Sequence, residues 1–99
     1  MSNYKIIGKE NKEIATDIAL HPGELLRDEL ETRAITQKNF AIAIGLQPPH
    51  LNDILKGKRH ISAKLALKIE QQLNVEASYW LQLQMQYDLA IAKKDLKAA

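Results

Sequence analysis

From His21 onward, apolar side chains recur at helical spacing, with charged or amide side chains between them. Leu25, Leu26 and Leu30 form one stripe, and Arg27, Asp28, Glu29 and Glu31 lie outside it. Pro22 suits the first turn of a helix, where its missing N–H is no loss, and Glu24 follows near the positive end of the helix dipole. A first helix is therefore predicted over Pro22–Arg33. Thr36 is a suitable N-cap for a second helix over Gln37–Ile44, with Phe40, Ala41 and Ile44 inward and Gly45 placed to stop it in the left-handed region. A residue before proline avoids the α region, so Pro48 is expected at the cap of a third helix and Pro49 at its first position. That helix continues through Leu51, Ile54 and Leu55 and ends at Gly57. Ser62 caps a fourth, Ala63–Leu73, with Leu65, Ala66, Ile69 and Leu73 inward and Asn74 as its left-handed stop. The fifth and longest is predicted over Ala77–Lys94. No segment alternates strongly enough to read as a strand.

The expectation is an all-α domain of five helices joined by tight turns. A chain of 99 residues supports one modest core rather than two domains. The division expected is an arm over 1–20, a domain over 21–94 and a tail over 95–99. The arm is polar, with Tyr4, Ile6 and Ile7 as its apolar members, and reads either as a short strand or packing arm or as a mobile terminus. The absence of cysteine excludes disulfide scaffolds, thiolate metal sites and thiol nucleophiles. No apolar run approaches the roughly 20 residues of a membrane span, and MSNYKIIGKENKE does not resemble a signal peptide, so a cytoplasmic location is the default expectation.

Helices two and three are separated by a very short turn, which forces them to cross steeply in helix-turn-helix geometry. That geometry requires apolar residues where the two helices pack, and Phe40, Ile44, Leu46, Leu51 and Ile54 occupy those positions. It requires a small residue at the crossing, where Ala41 stands, and a positive φ at the bend, where Gly45 stands. The core of the motif thus spans 37–56. In this motif the start of the second helix enters the major groove while the preceding helix crosses the backbone.

The outward positions then acquire roles. Asn52 and Gln47 are suited to bidentate bonds with an adenine edge. Asp53 suits a cytosine amino group or the orientation of a neighbour. Gln37 and Lys38, at the start of helix two, are placed to hold a phosphate. Lys56, Lys58 and Arg59 extend a basic edge along the flanking backbone. Pro48 and Pro49 remove backbone donors next to the DNA, but they stiffen the helix start and offer rings to a thymine methyl. His50 reads equally as a contact or as a partly buried helix residue.

Charge supports this division. Residues 10–33 hold seven acids and three bases, and residues 34–69 hold six bases and one acid, so a net −4 segment precedes a net +5 segment. Such asymmetry fits a nucleic-acid face beside a second surface, although Lys and Arg also simply solvate helices. No pair among His21, His50 and His60 has the spacing of a helical zinc site, and the scattered glycines form no phosphate loop. His21 reads as an opener of helix one and His60 as a turn residue. No enzymatic activity, metal or cofactor is expected.

The segments HPGELLRDEL, ITQKNFAIAIGL, HLNDILKGKRHIS, LALKIEQQL and YWLQLQMQYDLAIAK together resemble the HigA family of antitoxins, a branch of the Xre/Cro-like helix-turn-helix proteins. The resemblance covers about residues 20–93. It implies the lambda repressor-like fold and a toxin–antitoxin pair. The implied protein binds and neutralises a RelE-like, mRNA-cleaving toxin and represses its own operon as a dimer on palindromic operator DNA. The DNA role falls on Gln37, Lys38 and the residues from Gln47 to Lys56. The chain departs from the family at Pro48-Pro49, at Glu76-Ala77 in place of a Ser-Pro opening of the last helix, and in a longer amino-terminal arm.

Helix five carries two apolar stripes. One contains Trp80, Leu83, Tyr87, Ala90 and Ile91, and the other Leu81, Met85, Leu89 and Ala92. One stripe can pack on helices one and four. The other is left for a dimer contact, unless both enter one broad core. Trp80, Leu81, Met85, Tyr87 and Leu89 are the expected interface residues. A two-fold dimer would read half-sites about one helical turn (roughly 34–36 Å) or a multiple apart. An RNA-cleaving toxin should be basic, so Asp28, Glu29 and Glu31 of the acidic segment are candidate toxin contacts, with the Tyr4–Ile7 arm as the other. The rival readings are a repressor without a toxin and a toxin-binding module whose DNA face has decayed.

Overall fold

A computed structural model describes residues 20–98 of the chain. The expected arm at 1–19 lies outside the described residues. Five helices follow one another: α1 (Pro22–Thr32), α2 (Gln37–Ile44), α3 (Pro48–Leu55), α4 (Ala63–Leu73) and α5 (Ala77–Ala98). The fold is all-α, as the periodicity implies. No helix among the described residues is long and apolar enough to cross a membrane.

Each helix end has a local chemical cause. Thr36 Oγ1 accepts from Asn39 N–H at 3.1 Å and caps α2, and Ser62 Oγ accepts from Leu65 N–H at 3.2 Å and caps α4. Gly45 takes φ 71° and Asn74 φ 59°, the left-handed stops expected of them. After α1, Ala34 also takes φ 58°, a position that its composition does not announce. It is held by paired bonds from Ala34 N–H to the Glu31 carbonyl and from Ile35 N–H to the Leu30 carbonyl, the Schellman arrangement.

Three boundaries differ from expectation. Arg33 caps α1 rather than belonging to it. Pro48 enters α3, with Gln47 as the extended N-cap, because the missing donors of both prolines fall in the first turn, where amides have no helical partner. The helix α5 runs through Lys94 into the expected tail, since Lys93–Ala98 contains only good helix formers apart from Asp95 and has Lys97 in its last turn.

Helix α1 packs on α3 and α5, α2 packs on α3 and α4, and α4 packs on α5. They enclose a core that includes Leu26, Leu30, Phe40, Ala41, Ile44, Leu51, Ile54, Ile61, Ile69, Leu73 and Trp80. Gly23 explains how α1 reaches α3: a Cβ there would overlap the Ile54 carbonyl oxygen. The HPGE opening therefore contains a packing requirement as well as a cap. The start of α5 is capped across space, because Glu70 Oε1 on α4 accepts from Ala77 N–H at 3.1 Å. A distant carboxylate thus serves where Glu76-Ala77 lacks a local cap.

Trp80 must be corrected as an interface residue. It is 1% exposed and lies inside the core, where the α4–α5 packing encloses its large ring. The other four expected members differ in their availability: Leu81 and Tyr87 are half-buried, while Met85 and Leu89 are 52% and 53% exposed.

Candidate nucleic-acid interface

Helices α2 and α3 hold the expected face together. Phe40, Ala41 and Ile44 are buried on α2, and Leu51, Ile54 and Leu55 on α3. Between them, Gly45 N–H donates to the Ile42 carbonyl and Leu46 N–H to the Ala41 carbonyl, closing the turn. With the apolar faces joined, Gln37, Lys38, Gln47, Pro48, Pro49 and Lys56 are exposed, and His50, Asn52 and Asp53 are half-buried. Thr36 satisfies the third amide of α2, leaving the first two at the positive end of the helix beside Gln37 and Lys38. In α3 the first two positions are prolines and have no amide to offer, so this end must act through side chains.

The turn after α3 carries Lys58 and Arg59, both exposed. Gly57 takes φ 79°, and Lys58 N–H donates to the Asp53 carbonyl at 2.8 Å. Arg59 Nε lies 3.6 Å from Asp53 Oδ2, a solvent-exposed pair worth at most about 1 kcal/mol. Of the two readings of Asp53, this geometry matches the orientation of a neighbour.

A cleft of about 670 Å3 opens between α3 and α4, walled by His50, Asp53, Lys58, Arg59, Lys64 and Lys68 among others. Lys64 and Lys68 are basic members that the sequence reading missed. They stand four residues apart on α4, a like-charge spacing that mildly destabilises an isolated helix. The only acid of α4, Glu70, is engaged with Ala77. That uncompensated pair was the available signal.

His21 supports the same turn from behind. Its ring is 3% exposed, and Nδ1 accepts from Gly23 N–H at 2.9 Å to cap α1. It faces Gly57, where an added Cβ would meet it at 3.5 Å, and it meets the Tyr87 ring edge-on at 4.8 Å. Burial pushes its pKa below the usual imidazole value. Glu24 and Asp88 oppose that shift, and His60 adds to it. Protonation of Nδ1 would forfeit the cap, so the neutral ring is the one the fold uses.

The acidic candidates lie on α1. Asp28 and Glu31 are exposed, whereas Glu29 accepts from Arg33 Nε at 2.9 Å in a surface pair. The other missed residue is Gln84, 6% exposed on the inner side of α5, where Oε1 accepts from Ile61 N–H at 2.7 Å. Its place one turn beyond Trp80 was the clue.

A helix-turn-helix family model matches residues 26–80. The chain belongs to the Xre-type helix-turn-helix family. Virulence-associated protein I of Dichelobacter nodosus is 36% identical over 78 residues, spanning 78% of this chain and 72% of that protein. Among solved structures, Pseudomonas aeruginosa antitoxin HigA with the higBA promoter has a TM-score of 0.75 at 37% identity, covering 79% of this chain and 86% of that one. An addiction module antidote protein of the HigA family from Coxiella burnetii has a TM-score of 0.72 at 31% identity, covering 77% and 84%. The structural neighbours of this helix-turn-helix protein thus include HigA-family antitoxins, as the sequence resemblance implies.

Proposed function

We propose that this helix-turn-helix protein is a HigA-type antitoxin that represses its own operon and neutralises a RelE-like toxin. The observation that carries the DNA reading is the α2–α3 face. It brings Gln47, Asn52 and Lys56 to the surface beside the basic turn of Lys58 and Arg59, on a chain similar to an antitoxin solved with its promoter. In this reading Asn52 and Gln47 address base edges. Gln37, Lys38, Lys56, Lys58 and Arg59 hold phosphates, and Lys64 and Lys68 extend that track along α4. Pro48, Pro49 and His50 shape the start of the reading helix, and Asp53 aims Arg59.

The active species is a homodimer joined along α5. Leu81, Met85 and Leu89, continued by Ala92 and Leu96, make an apolar seam, with Leu96 77% exposed. Their spacing suits a packed helix pair, and a two-fold protein matches a palindromic operator. Tyr87 is half-buried against His21 and borders the seam at most. The toxin contact falls on Asp28, Glu29 and Glu31, whose charge complements an RNA-binding surface.

Two substitutions test the DNA face. Asn52→Ala should weaken binding to the protein's own promoter by about 1–3 kcal/mol and relax base preference, whereas Lys58→Ala should weaken cognate and random DNA alike. Equal effects of both variants on both DNAs would refute the assignment. For the toxin, co-purification with the product of the adjacent reading frame is expected, and charge reversal at Asp28, Glu29 and Glu31 should weaken it. A toxin complex without any salt-sensitive promoter shift would favour the reading in which the proline pair marks a lost DNA face.

A further inference from the structure

We propose that Gln84 and Asp88 of α5 are positioning residues for DNA binding: they hold the basic turn 57–61 and tie it to the helix that carries the dimer seam. The inference rests on the DNA-binding reading above.

The geometry consists of a short polar chain that runs from exposed Asp88 through Gln84 to a buried amide. Asp88 Oδ1 accepts from Gln84 Nε2 at 3.0 Å. An ionised carboxylate only accepts, so it draws the amide nitrogen of Gln84 towards itself and turns Oε1 the other way. Oε1 then takes Ile61 N–H at 2.7 Å, across 23 positions of sequence. The Ile61 side chain is 1% exposed, and without Gln84 this amide would be a buried donor lacking a partner.

The turn itself belongs to no helix, and its placement depends on what touches it. At its far end Gly57 faces His21, whose Cβ and Cγ a side chain at 57 would meet at 3.5 Å, and the His21 ring meets Tyr87 of α5 edge-on. Both ends of the turn are therefore referred to the inner side of α5, at Ile61 by Gln84 and at Gly57 through His21 and Tyr87. Lys58, Arg59 and His60 stand exposed between those two anchors. The same stretch of α5 presents Met85 and Leu89 outward. The distance between the phosphate-binding turns of two protomers is thereby set by how their α5 helices pair.

The test uses the full chain, titrated against its own promoter and against random duplex over a range of KCl. Gln84→Leu fills the space but cannot accept from Ile61 N–H. It is expected to bind both duplexes about tenfold more weakly, with the salt dependence of log K reduced by up to about 2, the share of two lost phosphate contacts at about 0.9 each. The double variant Gln84→Glu with Asp88→Asn reverses the side-chain bond yet keeps an acceptor for Ile61, and it should restore the slope. Glu70→Ala removes the other side-chain bond between α5 and its neighbours, at the start of that helix, and should destabilise the protein while leaving the slope unchanged. Hydrogen exchange at the Ile61 amide, read without DNA, should accelerate in Gln84→Leu and recover in the double variant.

A wild-type slope in folded Gln84→Leu would overturn the proposal while leaving DNA binding intact. A slope lost equally in Glu70→Ala would reduce Gln84 to a contributor to stability. Absence of salt-sensitive binding in the wild-type chain would overturn the DNA reading and this inference with it, even with Ile61 protection as expected.

Discussion

In α2 and α3 the two buried faces lie within one short stretch of chain and pack on each other. Phe40, Ala41 and Ile44 are the buried residues of α2 and Leu51, Ile54 and Leu55 those of α3, and Gly45 makes the bend between the helices at φ 71°. In α5 the same kinds of side chain have two fates. Trp80 is 1% exposed and Leu89 is 53% exposed, although both belong to apolar stripes of one helix. The α2–α3 unit is specified by local spacing, because its short turn leaves only one way to pack. The fate of an α5 residue depends on where α1 and α4 happen to lie, and on what the second stripe meets beyond the domain.

The largest expected effect separates the two stripes. Trp80→Ala should destabilise the fold by about 3–5 kcal/mol in chemical denaturation, because it empties a filled core site. A small effect would return Trp80 to the surface stripe. Within the α2–α3 unit, Gly45→Ala should cost about 1–2 kcal/mol from backbone conformation alone, since a Cβ there meets nothing within 4 Å. The mirror experiment is Ala34→Gly. It removes the left-handed strain at φ 58° and should stabilise by about 1 kcal/mol after the entropy of glycine is counted, visible as a raised Tm.

A pH effect follows from the contact between α1 and α5. Because His21 has a folded pKa below its unfolded value, the unfolded chain takes up the proton first. Stability should be fully present above about pH 6.5 and decline as pH falls through the lower folded value. His21→Asn keeps a side-chain cap but cannot titrate, so the decline between neutral and mildly acidic pH should be shallower in denaturation curves. The smallest effect on the fold itself is expected at Leu89→Ser, within about 0.5 kcal/mol for an exposed site. Its consequence should appear instead in sedimentation as loss of the proposed dimer.

Much of this architecture was readable from the chain. Thr36, Ser62, Gly45 and Asn74 each mark a helix end by a local rule, and all act there. The outward face of α3 followed from the inward one. What escaped is non-local. The polar Gln84 takes an inner position because a turn 23 residues away needs an acceptor, and Glu70 caps a helix to which it does not belong. Gly23 looks like a weak helix former in the first turn of α1 until the Ile54 carbonyl is seen against it. Lys64 and Lys68 gained meaning only when the cleft joined them to Lys58 and Arg59. Trp80 is buried where an interface is expected, because periodicity identifies a stripe without saying which stripe has a neighbour.

We propose that the α2–α3 face reads operator DNA. Its most direct test is fluorescence anisotropy of the intact protein on its own promoter and on a scrambled duplex, each titrated across KCl concentration. Affinity for both is expected to fall linearly in log salt, with the promoter bound at least about a thousandfold more tightly. Equal binding to the two duplexes, or binding to neither, would contradict it.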